Sequence, residues 1–532
     1  MNREEVAEKS PWTLERIAIW IMIGILILAL SLRLGGLDAK SVWQDEIFTA
    51  AIASTENSVS QVLSIPLHNS AVPKPGLYFL ITHSLLYVAD NDFVLRFPAV
   101  LFGVLGVAIT YSLGARLLGR REGLGGAFLL SISSLHIRYS QDARFYTLLL
   151  FLSLLSLYFL YRGILENEGR WWIGFTICSI LNVYNHHIAF LVLLAETVLV
   201  AGLWAAQALS TRKRSPSAGE AAHLSGKVAS SPDQNLGLSF VVSLAVIAMT
   251  YVPMLSHLLR GLGGPKGLGG TATRGMSLTA SFLTKILDAW GIGSGWAVLV
   301  LFIPFLIGTL VAARDQRGQL WVLFCWLVVP FAVLFGVPAQ HSFRPRYVLF
   351  MLPLYLLFVA RGLTAASELI RVRWPGRRLR LQDLGLVAFL TAIALLSATA
   401  VHAYYVEDRV DWRSGAALLA RSISPGEVIA SPGPFAQVAL PRYEESLGEV
   451  DFIMGGSEVF FSLHREPQVG VWFVSPQEEE MSAIESELSE TMSSYFKVVF
   501  EVDDQRVARA GSLQIAPAMY KDLWILYFRE DL

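Results

Sequence analysis

Long apolar blocks recur along almost three quarters of this sequence. Eleven blocks have roughly the 20 residues that a helix needs to cross a bilayer. They lie at 16–35, 93–115, 122–138, 143–162, 171–185, 188–207, 237–257, 294–312, 318–337, 346–363 and 383–401. Only 16% of the residues are charged, against about 25% in a soluble domain. The chain is therefore predicted to be an all-α polytopic membrane bundle, which excludes a soluble enzyme, a disordered chain and a fibrous repeat.

Basic connections between the blocks predict the orientation of the bundle. Those at 116–121, 162–170, 212–214, 314–317 and 371–380 alternate along the chain, so they share the cytoplasmic side with the N-terminus. This requires the shorter apolar stretch Gly76–Ala89 to lie along the membrane interface rather than cross it. The extracytoplasmic side then receives an outer loop, 36–92, and everything after Val401. The N-terminal block is expected to be an uncleaved signal anchor.

The composition changes after residue 401. Residues 402–532 contain twenty-two Asp and Glu against ten Lys and Arg. Their pattern predicts helices at 412–422 and 478–495, and strands at 427–430, 469–474, 497–502 and 523–528. No Gly-rich phosphate loop is present among them. We therefore expect two domains, a membrane domain at 1–401 and a small extracytoplasmic α/β domain at 402–532.

Polar residues collect at the span ends of the predicted outer face. They are Asp45 and Glu46, then Lys74, then Arg138, Gln141, Asp142, Arg144 and Tyr146, then Asn185, His186 and His187, and finally His341, Arg344, Arg346 and Tyr347. Each group alone has a structural explanation, such as a helix cap at Asp142, a histidine satisfied at the interface, or arginines contacting lipid headgroups. Together, carboxylates and cations at one depth suit transfer from a lipid phosphate. A carboxylate would deprotonate an incoming hydroxyl, and arginines would stabilise the departing phosphate.

Metal and nucleic-acid chemistry find little support in the sequence. Adjacent His186 and His187 point to different faces of a helix, and Cys178 and Cys325 lie inside apolar runs. The formal net charge of −1 provides no basic field for nucleic acid. We predict no cofactor and assign no metal ligands, because the charges above could do the chemistry alone when the leaving group is already a phosphate ester. Dependence on a metal ion stays open from the sequence.

The order of these motifs resembles the polytopic glycosyltransferases of the GT-C fold. The similarity is to the dolichyl-phosphate-mannose protein mannosyltransferase-like superfamily, glycosyltransferase family 39-like, which includes the bacterial aminoarabinose transferases of lipid A. The matching stretches are WQDEIFTA (43–50), KPGLYFLITHSLL (74–86), the segment 95–123, SLHIRYSQDARFYTLLLFLSLLSLYFL (134–160), YNHHIAFLVLLAE (184–196) and RPRYVLFMLPLYLLF (344–358). Departures are Pro75–Gly76, where relatives commonly have two prolines, and His187, where an aromatic residue is frequent.

The resemblance implies an integral-membrane enzyme that transfers a monosaccharide from a polyprenyl phosphate to an extracytoplasmic acceptor, with inversion at the sugar. The carrier would be dolichyl or undecaprenyl phosphate, and the acceptor a protein, a glycolipid or a cell-surface polysaccharide. The acid of the first outer loop, the catalytic base in such enzymes, maps to Asp45, with Glu46 beside it. The residues expected to bind substrate and phosphate are Lys74, Arg138, Asp142, Arg144, His186, Arg344 and Arg346. The location would be the plasma membrane.

Two other functions remain open from the sequence. A lipid or sugar transporter or flippase would place paired charges near the centres of several spans, where Glu196 is the clearest isolated acid. A non-catalytic GT-C-like scaffold presenting the acidic tail would tolerate replacement of Asp45 and Arg346.

Overall fold

The computed structural model describes the chain in segments. They are residues 14–68, 75–213, 234–263, 280–292, 295–336, 345–369, 381–407, 409–431, 435–454, 471–475, 508–510, 513–515, 518–520 and 523–528. Lys74 and Arg344 fall outside the described residues, as do the predicted helix 478–495 and the predicted strand 497–502.

Helices dominate the described residues. In chain order they are α1 (Leu14–Leu34), α2 (Gln44–Ala53), α3 (Val59–His68), α4 (Leu77–Leu86), α5 (Asp92–Leu117), α6 (Arg120–Ser131), α7 (Ser134–Ser140), α8 (Tyr146–Glu166), α9 (Gly169–Asn185), α10 (Ala189–Lys213), α11 (Gln234–Gly263), α12 (Ala280–Trp290), α13 (Leu299–Asp315), α14 (Arg317–Gly336), α15 (Leu352–Glu368), α16 (Leu381–Val406), α17 (Trp412–Ser422) and α18 (Phe435–Tyr443). Short 3-10 helices occupy Gly295–Val298, Pro345–Met351 and Glu445–Glu449.

Nine helices in the described part of the chain are long and apolar enough to cross a membrane, and they coincide with nine of the eleven predicted blocks. The block 122–138 is instead divided between α6 and α7, because Ser133 accepts a hydrogen bond from the His136 amide and starts a new helix. The block 171–185 lies in α9, whose 17 residues are at the short end of the spanning range. The 10 residues of α4 rise about 15 Å, which is too short to cross.

Helix α15 is the centre of the bundle. In an apolar stretch of 18 residues within Pro345–Glu368, 89% of the residues are buried. In the corresponding stretch of α16 only 17% are buried, and this helix presents large apolar side chains outward, as a lipid-facing span does. Close contact between α13 and α15 depends on Gly308 and Gly362, since a Cβ at either position would overlap backbone atoms of the other helix. Small residues of this kind let membrane helices pack closely without a hydrophobic driving force.

The structure divides into two compact units. The bundle unit comprises Met1–Gly35, Asn57–Leu85 and Arg96–Tyr405, as far as these are described. The tail unit comprises Gly36–Glu56, Leu86–Leu95 and Val406–Leu532, so it includes helix α2 as well as the chain's last segment. The domain boundary expected at residue 401 stays a prediction.

The tail unit contains a small mixed sheet. Its strands are β1 (Val428–Ser431), β2 (Phe452–Met454), β3 (Val471–Ser475), β6 (Ala518–Tyr520) and β7 (Leu523–Phe528), and β4 (Ala508–Ala510) pairs with β5 (Leu513–Ile515) separately. The strand order is β2-β1-β3-β7-β6. Strand β1 runs parallel to its neighbours β2 and β3, and strand β7 runs antiparallel to its neighbours β3 and β6.

Helix α17 and strands β1, β3 and β7 confirm the elements predicted at 412–422, 427–430, 469–474 and 523–528. The predicted fold class, a helical bundle with a small α/β domain, is confirmed.

Candidate active site

Helix α2 carries two acids whose environments differ. Asp45 is half-buried, whereas Glu46 is completely buried. Glu46 Oε2 accepts a hydrogen bond from the Trp43 amide at 3.3 Å. Its negative charge lies near the positive end of the helix dipole, where it stabilises the helix. The same oxygen lies 3.5 Å from Arg409 Nη1. Glu46 is therefore held in place by the start of its own helix and by an ion pair, whereas Asp45 is only partly shielded from solvent.

The turn between α7 and α8 is fixed to the end of α1. Gln141 Nε2 donates to the carbonyl oxygens of Arg33 and Gly35, at 3.0 and 2.8 Å. Its Oε1 accepts from the Tyr404 hydroxyl at 2.7 Å. These bonds satisfy carbonyls that a helix end leaves without an intrahelical partner. The turn holding the predicted site residues is consequently well anchored.

Asp142 and Arg144 are both buried in this turn, each 2% exposed. The two residues are linked through their backbones, since the Arg144 amide donates to the Asp142 carbonyl at 2.6 Å. The residue that caps α8 is Phe145, so the alternative in which Asp142 caps that helix does not explain its burial. One short turn thus keeps two ionisable side chains out of solvent.

Aromatic rings connect two of the predicted site residues, Arg144 and His186. Arg144 Cζ is 5.0 Å from the centre of the Phe145 ring, and that ring stacks on His186 with centroids 4.1 Å apart. Phe145 in turn lies 4.5 Å from Tyr146. The structure thus brings Arg144 and His186, which are 42 positions apart in sequence, to one aromatic pair.

Arg346, in the 3-10 helix that precedes α15, contacts Tyr146 of the same aromatic pair. It is 7% exposed, and its Cζ lies 5.6 Å from the ring centres of both Tyr146 and Tyr347. Contact with two aromatic faces orients the guanidinium by cation–π attraction. We call Arg144, Phe145, Tyr146, His186 and Arg346 the aromatic–cation cluster.

Arg138 contacts a different ring. Its Cζ lies 5.1 Å from the centre of the Tyr404 ring, and the side chain is half-buried. Because Tyr404 also binds Gln141, Arg138 lies on the side of the turn that is fixed to α1 and α16. Sequence reasoning grouped Arg138 with Arg144, but the structure gives them different aromatic partners.

Burial controls the ionisation of one histidine at this end of the bundle. His187, between α9 and α10, has its pKa lowered to about 4 because burial penalises the charged ring. It is therefore neutral near pH 7. Its ring centre is 6.2 Å from that of His186, whose Nδ1 accepts from the Ile188 amide at 3.1 Å.

Sequence reasoning missed Arg33, a fully buried guanidinium at the end of α1. It donates to Ser140 Oγ and to the carbonyls of Leu130 and Ser131, and its Nη2 lies 2.6 Å from His136 Nδ1. Since arginine can only donate, His136 Nδ1 must be the accepting nitrogen. The signal that could have identified Arg33 is its charge inside the apolar block 16–35. The sequence analysis treated this residue only as part of that block.

The described residues hold no group of three His, Cys, Asp or Glu side chains arranged as a metal site. Cys178 and Cys325 are free and buried in the bundle.

Comparisons with known proteins agree with the fold that the motifs predict. Residues 71–213 match the model of the dolichyl-phosphate-mannose-protein mannosyltransferase family. This range includes Arg138, Asp142, Arg144 and His186 but neither Asp45 nor Arg346. No curated protein sequence matches the chain.

Among solved structures, ArnT from Cupriavidus metallidurans in its apo state matches with a TM-score of 0.58 and 12% identity, over 95% of this chain and 97% of that one. The same protein bound to undecaprenyl phosphate matches with a TM-score of 0.57 and 13% identity, over the same shares of the two chains. The Archaeoglobus fulgidus oligosaccharyltransferase complex with Zn and sulfate has a TM-score of 0.54 and 13% identity, over 86% of this chain and 67% of that one. The chain therefore has the GT-C fold and is a multi-pass membrane protein.

Proposed function

We propose that this protein is a membrane glycosyltransferase that transfers a monosaccharide from a polyprenyl phosphate to an extracytoplasmic acceptor. The observation that carries the proposal is the aromatic–cation cluster, in which Arg144, His186 and Arg346 meet in a fold shared with ArnT. A structure of ArnT with undecaprenyl phosphate supports this class of carrier lipid. The catalytic domain would be residues 1–401.

The arginines of the cluster are suited to a phosphate. Arg144 and Arg346 are almost completely buried and contact aromatic rings. A guanidinium stays charged when buried and donates through a planar fork that matches phosphate oxygens. We assign these two residues to the carrier phosphate and His186 to the wall of the same cavity. Arg138 and Asp142 belong to the adjoining turn, while Lys74 and Arg344 remain predicted phosphate ligands.

Asp45 is proposed as the general base. It would take the proton of the acceptor hydroxyl while that oxygen bonds to the anomeric carbon and the bond from this carbon to the carrier phosphate breaks. The polyprenyl phosphate leaves with the electron pair, and the arginines stabilise the charge that it gains. Displacement in one step inverts the sugar configuration. The half-buried position of Asp45, beside a buried Glu46, supports this choice of base.

The orientation of the protein follows from its basic connections. Arginine-rich connections on alternate sides favour a cytoplasmic N-terminus and an extracytoplasmic tail unit in the plasma membrane. An enzyme tag at the C-terminus should report outside, and one within 211–236 should report inside. The reverse result at either position would overturn the orientation.

The transferase proposal is tested by mass spectrometry of lipids and glycans from cells with and without the gene. We expect a polyprenyl-phosphate sugar to accumulate in the null strain and in the Asp45→Asn variant, and one glycan to disappear from both. The accumulated lipid identifies the sugar, hexose or pentose, and the missing glycan identifies the acceptor. Asp38→Asn is the matched control, since Asp38 is an exposed acid of the same loop.

An unchanged lipid and glycan profile in a null strain, compared with cells that make the protein, would refute the transferase function. A scaffold would give a changed null strain but an unaffected Asp45→Asn variant.

A further inference from the structure

Helix α2 makes its long-range contacts in the tail unit with the last segment of the chain. The ion pair between Glu46 and Arg409 joins residues 363 positions apart. The Glu46 side chain is completely buried and that of Arg409 is 13% exposed, so water screens this pair weakly. Loss of the arginine would leave a buried carboxylate next to Asp45 without that counter-charge.

Tyr443 holds the same segment from α18. Its hydroxyl accepts from the Val42 amide at 2.9 Å and donates to Asp92 Oδ2 at 2.7 Å. The neighbouring Arg442 donates to Asp92 Oδ1 and to Asp90 Oδ1, each at 2.7 Å. Burial alone would lower the pKa of Arg442, but these two carboxylates raise it above its ordinary value. Arg442 therefore fixes Asp92, the carboxylate that accepts from the Tyr443 hydroxyl.

A third contact joins Ser41 to the start of α17. Ser41 Oγ donates to Asp411 Oδ1 at 3.3 Å, and Asp411 also caps α17 by accepting from the Ser414 amide. The Arg413 amide donates back to Ser41 Oγ at 3.3 Å. The chain entering α2 is thus held at Ser41, Val42 and Glu46, all within four residues of Asp45.

A helix of 10 residues does not hold its position by itself. Isolated helices shorter than about 12 residues are marginal in water, so the placement of α2 depends on such contacts. A displacement of about 1 Å at a catalytic group can cost about 100-fold in rate. Contacts at the start of α2 therefore bear directly on where the Asp45 carboxylate lies.

We propose that Arg409 and Tyr443 are positioning residues for Asp45, and that Glu46 is the anchor of α2 rather than a second base. This inference rests on the proposed function, in which Asp45 is the base. It replaces the sequence-based expectation that Glu46 shares the chemistry. It also gives the last segment of the tail unit a defined role in the reaction, because this segment sets the geometry of the acid.

The physical part of the proposal is tested without any substrate. A spin label at Gln44→Cys reports the motion of α2, since Gln44 is exposed whereas the native Cys178 and Cys325 are buried. Arg409→Ala and Tyr443→Phe should sharpen the label's spectrum, which indicates faster motion. The control Arg421→Ala, an exposed arginine at the end of α17, should leave the spectrum unchanged. Equal spectra for Arg409→Ala and the control would overturn the proposal.

The catalytic part uses, as donor, the lipid-linked sugar extracted from the null strain. Arg409→Ala should lower kcat about 10- to 100-fold with little change in KM, because base placement affects the transition state more than donor binding. Arg409→Lys, which keeps the charge, should recover most of the loss. A wild-type melting temperature for the alanine variant would show that it does not act merely by unfolding.

The Glu46→Gln variant distinguishes a role of this side chain as the anchor of α2 from a role as a second base. Its amide oxygen can still accept from the Trp43 amide, so we expect a loss of only a few-fold. A loss as complete as that of Asp45→Asn would identify Glu46 as a base and overturn the proposal. If Asp45→Asn instead retained turnover, the assignment of the base in the proposed function would fail. The spin-label result would still decide whether the last segment of the chain holds α2.

Discussion

The ring of Phe145 lies nearly flat against the imidazole of His186, with centroids 4.1 Å apart and 20° between the planes. His186 is oriented further because its Nδ1 accepts from the Ile188 amide. In the neutral ring, Nε2 therefore carries the proton. Since Arg144 also contacts Phe145, a single ring positions both a cation and an N–H donor at the candidate site.

Removing this ring should impair transfer. Phe145→Leu keeps apolar volume but loses the stacking on His186 and the cation–π contact with Arg144, worth about 1–2 kcal/mol together. We expect kcat/KM to fall about 10-fold in a donor-consumption assay. Phe159→Leu, which removes a ring stacked on Trp171, is the matched control. Equal losses in the two variants would show that the effect is general destabilisation.

Arg346→Lys should weaken binding of the donor. Lysine keeps the charge but loses the planar fork and the contact with Tyr146 and Tyr347. We expect the KM for the lipid-linked sugar to rise about 10-fold, equivalent to about 1.4 kcal/mol. Arg314→Lys, at an exposed arginine, should leave KM unchanged. A wild-type KM in Arg346→Lys would contradict the assignment of Arg346 to the phosphate.

His187 should make the folded protein sensitive to mild acid. Its folded pKa is about 4, below the unfolded value of about 6.5, so the unfolded chain binds a proton first as the pH falls. The stability that His187 contributes is complete above pH 6.5 and is lost towards pH 4, at no more than about 1.4 kcal/mol per pH unit.

The measurement for His187 is the melting temperature in detergent at several pH values between 7 and 4. The wild type should lose stability more steeply than His187→Gln across this window. His402→Gln, at an exposed histidine, should follow the wild type. A His187→Gln curve parallel to the wild type would show that other groups cause the acid sensitivity.

Glu196 tests the transporter alternative. It is 1% exposed, and its Oε1 accepts from Ser156 Oγ at 2.6 Å, while Oε2 has no hydrogen-bond partner among the described residues. Glu196→Gln keeps the acceptor for Ser156 and removes the acid, so we expect wild-type donor consumption and a melting temperature at least as high. A transporter that uses Glu196 for ion coupling would instead lose its function in this variant. Ser156→Ala, which removes only the donor, is the matched control.

The fold followed from local sequence patterns more completely than the site did. Block length and charge bias predicted most of the spans, and helix α17 was predicted with its observed bounds. The break at Ser133 was missed, because a serine inside an apolar block changes the mean hydropathy little while its side chain starts a new helix. Arg33 was missed because a single charged residue also changes the mean hydropathy of an apolar block little.

Within the site, the sequence indicated which residues belong to the site but not which of their side chains contact each other. Asp45 and Glu46 are adjacent and chemically alike, so no sequence pattern distinguishes the buried acid from the half-buried one. The distinction arises from Arg409, which contacts Glu46 from 363 positions away. Likewise, the motifs put Arg144 and Arg346 in one region without indicating that Phe145 and Tyr146 connect them.

The distance in sequence between α2 and its partners also sets an order for biosynthesis. A ribosome makes the segment with Asp45 near the beginning of translation, but Arg409 and Tyr443 emerge only after some 360 to 400 further residues. Nascent chains fold from the N-terminus onward, so α2 must wait for these partners. On the proposed assignment, a chain truncated before Val406 would carry every span and yet lack a positioned base. Incomplete translation products would then sit in the membrane without acting on the cell's lipid-linked sugars.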